Sequence, residues 1–330
     1  MSPLAIGVDV GGTKIAAGLV DDSGAVLART RAEVADKSPA AVVAAIAEAV
    51  AELRARGEVD DVGVAGVGIG LPAFFDTSRE VAVVVPNLGW RDVPAGAMLR
   101  EALAMEVTLE NDANVAAWGE YRFGAGQGVD DLVMVTVGTG VGGGIVLGGN
   151  LVVGAQGMAA EIGHMTTVPG GLPCPCGKSG CWEQYASGQA LVRIAKELAS
   201  TASVDARALC DLGDGTVAGI TGVHVTAAAA SGNSVALDSF AQLAENLAAG
   251  MADLVAVLDP GAFVIGGGVS EAGDMLLERI RAAYDRVVLV DRQRAIPIRL
   301  ASLRNDAGLI GAADLVRVRA ARKADLRSRD

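Results

Sequence analysis

Short apolar runs closed by glycine-rich turns set the rhythm of this chain. Leu4–Asp9 is such a run. It leads into Asp9-Val-Gly-Gly-Thr-Lys14, a second apolar run over Ile15–Val20, and a turn at Asp21–Gly24. Strand, glycine turn, strand is the pattern of a hairpin. Residues 39–55 (PAAVVAAIAEAVAELRA) change period and predict an amphipathic helix with Pro in its first turn. Val62–Leu71 and Val81–Val85 predict further strands, and Val107–Leu109 another, which leads into the helical run AAWGEYRF.

The order then repeats. Leu132–Val137 is apolar, Gly138–Gly144 is glycine-rich, and Ile145–Leu147 is apolar again. Helical stretches follow at about 186–199 and 235–258, then a strand at Ala262–Ile265 closed by the turn Gly266–Gly268. Helix, strand and helix patterns end the chain, the last running from about Ala307 to Lys323. Two halves that each open with a glycine-turn hairpin and continue in βαβ style predict a duplicated α/β domain with a cleft between the copies.

Composition narrows the function. With 330 residues, 51% of them apolar but only 3% aromatic, Val, Ala, Leu and Ile must fill the cores. A net charge of −12 argues against nucleic acid or an anionic membrane as partner, although a local site can still hold an anionic nucleotide. The start, MSPLAIGVDVGG, lacks a basic leader region, and runs such as Val62–Phe75 are too short and too glycine-interrupted to span a bilayer. A cytoplasmic protein is expected. There, clustered thiols point to metal before disulfide.

Three of the four cysteines and one of the two histidines fall within one short stretch: His164, Cys174, Cys176 and Cys181. A Cys3His set satisfies tetrahedral Zn²⁺ and leaves no position for a catalytic water, so the zinc is expected to be structural. Cys210 stands alone and reads as a small buried side chain. His224 has no visible constellation.

Each glycine turn follows a predicted strand. Glycine there makes a tight hairpin, or lets backbone amides approach an anion. The first turn lacks the spacing of a Walker A loop. Gly138-x-Gly140-x-x-Gly143 matches the dinucleotide fingerprint formally, but a strand follows where that fingerprint needs a helix. A hairpin-type phosphate clamp remains, built from Gly11, Gly12, Thr13 and Lys14 in one half and Gly138, Thr139, Gly140, Gly267 and Gly268 in the other. Asp9 is placed to hold Mg²⁺ through water, and Lys14 to meet a terminal phosphate.

Asn111 and Asp112 sit where a strand gives way to a helix. One of them is an N-cap, or Asp112 is a general base for a hydroxyl and Asn111 bonds the same substrate; both can hold together. Glu161 precedes His164 by three residues, and Glu183 follows Cys181 by two. Each is a surface carboxylate or a ligand positioned by the metal loop. A metal-bound imidazole keeps its second nitrogen for another partner, which could be a ligand hydroxyl.

These motifs resemble the ROK family of sugar kinases and sugar-responsive repressors, and within it the bacterial ATP-dependent glucokinases. The run Cys174-Pro-Cys176-Gly-Lys-Ser-Gly-Cys181-Trp-Glu183 carries the family's C-x-C-G-x-x-G-C-x-E pattern, and Glu161-Ile-Gly-His164 its E-x-G-H. Val8–Lys14, Asn111–Asn114 and Gly138–Gly144 carry its nucleotide and catalytic stretches, and the likeness runs from about residue 5 to 315. The resemblance implies an α/β actin-like, Hsp70-like ATPase fold (ribonuclease H-like duplicated domains) with a central cleft and a zinc-binding loop. Residues 1–115 plus about 307–330 would form a smaller N-terminal domain, and 116–306 a larger one. It further implies ATP, Mg²⁺ and structural Zn²⁺ as cofactors, glucose as acceptor at its 6-hydroxyl, and a homodimer or homotetramer. Asp112 would be the base, with Asn87, Asn111, Glu161, His164 and Glu183 bonding the other sugar hydroxyls. Ala73 and Ala160 stand where the family usually has Gly, both beside the expected sugar pocket. The alternatives are another hexose (mannose, fructose or N-acetylmannosamine), polyphosphate as donor, or a non-catalytic sugar-binding or sugar-sensing protein. A repressor of this family carries a helix-turn-helix ahead of the first glycine turn, for which a turn at residue 11 leaves no room.

Overall fold

The computed structural model describes residues 3–12, 14–56, 63–200 and 203–327; Thr13, expected to offer a hydroxyl to phosphate, lies outside them. Two compact units emerge: Met1–Leu132 with Gly144–Ala160 and Ser302–Asp330, and Val133–Gly143 with Glu161–Ala301.

The elements up to the middle of the chain are β1 (Leu4–Val10), β2 (Lys14–Val20), β3 (Val26–Glu33), α1 (Pro39–Arg54), β4 (Val64–Leu71), β5 (Phe74–Phe75), β6 (Ala82–Val85), β7 (Trp90–Val93), α2 (Ala95–Leu103), β8 (Val107–Asn111) and α3 (Asp112–Phe123). Next come β9 (Leu132–Val137), β10 (Val141–Leu147), β11 (Asn150–Leu151), α4 (Glu183–Ala186), α5 (Gly188–Ala199), α6 (Val204–Asp211), α7 (Gly222–Ala230) and α8 (Ser234–Leu258). The chain ends with β12 (Ala262–Gly266), α9 (Asp274–Val287), α10 (Asp291–Arg294), β13 (Ile298–Leu300) and α11 (Ala307–Arg327).

One five-stranded sheet has the order β3-β2-β1-β4-β8, antiparallel from β3 to β1 and parallel from β1 to β8. The other has the order β11-β10-β9-β12-β13, with an antiparallel β10–β11 hairpin and a parallel β12–β13 pair. Third, second, first, fourth, fifth: both sheets follow one scheme, so the expected duplication is borne out. A third sheet, β5-β6-β7, had only its β6 strand anticipated from periodicity.

Alternation along β1 explains how the first sheet is covered. Leu4, Ile6, Val8 and Val10 face a core shared with Val42, Ile46, Val50 and Leu53 of α1. The opposite face meets α11, whose Leu309, Ile310, Ala313 and Val316 pack on Ala5 and Val20. That approach is close because the sheet face carries glycine: a Cβ on Gly7 would lie 1.9 Å from Leu309 O, and one on Gly68 1.8 Å from Ala312 O. Ser38 caps α1, accepting the Ala41 amide, and Pro39 occupies its first turn. In the second unit, α8 is long and apolar enough to cross a membrane by length and composition. Here it is a core helix packed on α5, α7 and α9, and Phe240, Leu243, Leu247 and Met251 along it are buried.

Candidate active site and metal centre

Asn111 ends β8 as the N-cap of α3, its Oδ1 accepting the amides of Ala113 (2.9 Å) and Asn114 (3.2 Å). Its Nδ2 donates to Ala73 O at 3.3 Å, so the amide is held from both sides. Asp112 is the first helical residue, and its Oδ1 accepts the Ala113 amide at 2.9 Å. Burial raises its pKa. Asp9, near the end of β1, is raised to about 6, first by burial and then by the Asp112 charge. Both carboxylates therefore share one poorly solvated region. Gly308 adjoins it: a Cβ there would lie 3.1 Å from the Asp9 carboxylate.

Beneath this pair lies a network with no counterpart in the motifs read from the sequence. Glu110, fully buried, faces the guanidinium groups of Arg79 (3.0 Å) and Arg319 (3.0 Å). It also accepts the Asn114 side chain (3.1 Å) and the Asn111 amide (3.0 Å). Arg79 reaches on to donate to Gly157 O at 2.7 Å. The network thus fixes the turn that presents Asn111 and Asp112. Its only trace in the sequence is a carboxylate closing an otherwise buried strand.

The first glycine turn closes on itself, with the Gly11 amide donating to Lys14 O at 2.8 Å. Lys14 is exposed at the start of β2. Gly12 adjoins Asn87, whose Cβ would be 3.8 Å from a Cβ on Gly12. Asn87 itself is exposed, and its carbonyl accepts Lys37 Nζ at 3.0 Å.

In the second unit the Gly138 amide donates to Gly140 O (3.0 Å), and the Gly188 amide to Gly138 O (2.8 Å). Thr139 is exposed at the tip. Gly267 adopts a φ of 81° and adjoins the end of β9, where a Cβ would lie 2.5 Å from Val137 O. Glycine is required there on both counts. The two glycine turns, Gly138–Gly140 and Gly267–Gly268, therefore sit side by side. Positions 138 and 268 are open, with nothing within 4 Å of an added Cβ.

His164, Cys174, Cys176 and Cys181 converge, their ligand atoms all within 4.8 Å of one another. Cys176 and Cys181 sulfurs are 3.6 Å apart, and His164 Nδ1 lies 3.7 Å from Cys174 Sγ. Ligands at 2.0–2.3 Å on a tetrahedral zinc are separated by about 3.5–3.8 Å, so the donor set fits that ion. Two bridges, Thr166↔Cys181 and Pro173↔Ser179, fold the loop back on itself, and Gly177 and Gly180 turn it with φ of 91° and 79°. Burial pushes the Cys174 thiol up to about 12, and the Lys178 amide draws Cys176 down. A bound cation has to displace those protons.

Glu161 is exposed and precedes the short 3-10 turn Ile162–His164, where the His164 amide donates to Glu161 O at 3.0 Å. Gly163 must be glycine, because a Cβ would sit 2.0 Å from Val141 O. Ala160 adopts a φ of 69°, the left-handed conformation that glycine takes without cost. Ala73, by contrast, carries no such φ. Glu183 starts α4, its Oε1 3.0 Å from Cys174 Sγ and 3.7 Å from His164 Nδ1. It is anchored through Trp182, which is fully buried, donates Nε1 to Asn246 O at 2.7 Å, and rests on Gly250 of α8. His224 caps α7 together with Thr221, and Cys210 is buried on α6.

A family-wide sequence profile described as the ROK family matches residues 5–319. Glucokinase from Streptomyces coelicolor is 47% identical over 315 residues, covering 95% of this chain and 98% of that one. Glucokinase from Halalkalibacterium halodurans is 37% identical, covering 94% of each. Among solved structures, a ROK family glucokinase from Streptomyces griseus in complex with glucose and AMPPNP is 47% identical with a TM-score of 0.83, over 96% of this chain and 99% of that one. The fold is accordingly that of the ROK kinases, the actin-like ATPase fold.

Proposed function

This chain belongs to the ROK family, and from that premise we propose that it is an ATP-dependent glucokinase, moving the γ-phosphoryl group of ATP to the 6-hydroxyl of glucose. The observation that carries the reading is Asp112, a carboxylate buried at the start of α3, with a raised pKa, next to a second carboxylate. A base is more effective as its pKa approaches the working pH. Asp112 Oδ1 is engaged by the Ala113 amide, and Oδ2 takes the 6-hydroxyl proton. The hydroxyl oxygen bonds to the γ-phosphorus, the bond to the β–γ bridging oxygen breaks, and ADP leaves.

Phosphoryl transfer of this kind is mostly positioning and charge neutralisation. Asp9 would hold the magnesium of Mg·ATP, and the ion would supply charge neutralisation at the phosphate oxygens. Gly11, Gly12, Thr13 and Lys14, with Gly138, Thr139, Gly267 and Gly268, are the residues assigned to the phosphates; the open space over Gly138 and Gly268 supports this. Asn87, Asn111, Glu161, His164 and Glu183 bond the remaining sugar hydroxyls. Because Asn111 Oδ1 is spent on capping, this residue acts as a donor, through its second Nδ2 proton. His164, Cys174, Cys176 and Cys181 would hold a structural zinc, which would close the loop from which His164 and Glu183 project. The protein works as a cytoplasmic homodimer or homotetramer and makes the glucose 6-phosphate that opens glycolysis.

A coupled assay of ADP release over glucose, mannose, fructose and N-acetylmannosamine, with ATP or polyphosphate as donor, tests the assignment. Glucose with ATP should give the highest kcat/KM. Asp112→Asn should lower kcat by about 10³-fold with glucose affinity nearly unchanged, since general-base catalysis contributes roughly 10²–10⁴. Near-normal turnover in a folded Asp112→Asn protein would remove Asp112 from the chemistry.

A further inference from the structure

The glycines of the Gly138–Gly140 turn are not equivalent. Over Gly138 an added Cβ meets nothing within 4 Å, whereas over Gly140 it would lie 2.6 Å from Glu183 Oε2. The Glu183 carboxylate therefore spans two features of the second unit. Oε1 lies 3.0 Å from Cys174 Sγ in the metal loop, and Oε2 covers the bare Cα of Gly140. Gly140 has no left-handed φ, so backbone conformation does not demand glycine there. What requires the missing side chain is the carboxylate above it.

We propose that Gly140 is a specificity-determining position that acts on the hexose through Glu183, and that its lack of a side chain is not an accommodation for phosphate. This rests on the reading of Glu183 as a sugar ligand. The backbone of Glu183 cannot drift to compensate for a change at 140, because Trp182 is fully buried and hydrogen-bonded to Asn246 O. The turn is likewise pinned, by the Gly188 amide on Gly138 O at 2.8 Å. A methyl group at 140 can be relieved only by moving the end of the Glu183 side chain, from 2.6 Å out to the 3.4 Å or more of an ordinary contact. That displacement moves the carboxylate away from the position from which it would bond the sugar. A hydrogen bond to a charged group contributes about 1.5–3 kcal/mol, so the loss in glucose affinity is about tenfold or more.

The test compares Gly140→Ala, Gly138→Ala, Glu183→Gln, Glu183→Asp and the double variant Gly140→Ala/Glu183→Asp, with KM for glucose and ATP, calorimetric glucose binding, and zinc content. Gly140→Ala should raise the glucose KM and Kd about tenfold, leave the ATP KM within about twofold, and keep its zinc. Shortening the carboxylate in the double variant should recover part of the glucose affinity, whereas Glu183→Asp alone lowers it. Gly138→Ala, facing open space, should act on ATP instead. A rise in ATP KM with unchanged glucose binding in Gly140→Ala would overturn the proposal, as would unchanged values for both substrates. Loss of zinc together with glucose binding would overturn it too, by moving the effect to the metal loop. If Glu183→Gln alone leaves glucose binding intact, it is the assignment of Glu183 as sugar ligand that fails.

Discussion

Replacing Arg79 by Met tests the buried network that presents Asp112. Arg79 is 7% exposed, and its guanidinium stands 3.0 Å from Glu110, which is fully buried. Met has similar reach and no charge, so packing is largely kept while Glu110 loses a cation. Removing one partner of a buried pair costs about 3–5 kcal/mol. Glu110 keeps Arg319, the Asn114 side chain and the Asn111 amide, which places the cost near the low end, about 3 kcal/mol. Gly157 O loses the donor at 2.7 Å, which adds about 1 kcal/mol. At roughly 2 °C per kcal/mol for a chain of this size, Tm should fall by about 8 °C in a calorimetric or fluorescence melt. The kcat should fall as well, because the amide of Asn111 and the first turn of α3 are held by the same carboxylate. Since the cost comes from an uncompensated charge, Arg79→Met combined with Glu110→Gln should regain part of the lost stability. A single variant melting within 2 °C of the parent, or a double variant no better than the single, would refute the reasoning.

Four further outcomes are expected. Activity should decline as pH falls, because Asp9 and Asp112 must be ionised: Asp9 is raised to about 6, and burial lifts Asp112 above the ordinary carboxylate range. Stability moves the other way for Asp9: its contribution is fully present below the unfolded value of 3.8 and is lost as pH rises to about 6. Asp9→Asn should therefore flatten that part of the pH–stability curve in urea melts, and an unchanged curve would contradict the burial argument. Stripping zinc with a chelator should release one ion per chain from His164, Cys174, Cys176 and Cys181 and raise the glucose Kd before it affects ATP binding. Zinc-free protein with full glucose affinity would break the link between metal and sugar. Ala160→Gly should raise Tm slightly, since relief of a left-handed non-glycine residue, about 1–2 kcal/mol, exceeds the cost of glycine's extra backbone freedom, about 0.5–1 kcal/mol. A fall in Tm would mean that the strain is absent.

The sequence by itself determined what depends on near neighbours. Strand–glycine–strand runs located both hairpins, Pro39 the start of α1, and the 18 residues from His164 to Cys181 the cluster that could hold a metal ion. Periodicity, capping and ligand spacing are all local, so they survive in one dimension. The position of Asn111 was legible for the same reason, with its cap role and its site role left open together. The tertiary structure decided what depends on groups distant along the chain. Glu110 meets Arg79 and Arg319 from 31 and 209 residues away, and no local pattern announces such partners. The weak alternation of two- and four-residue strands hid most of the β5–β7 sheet. Glycine was the least legible residue, because its meaning lies in whatever occupies the space of the absent side chain. That is helix backbone at Gly7, strand backbone at Gly163, open space at Gly138 and a carboxylate at Gly140.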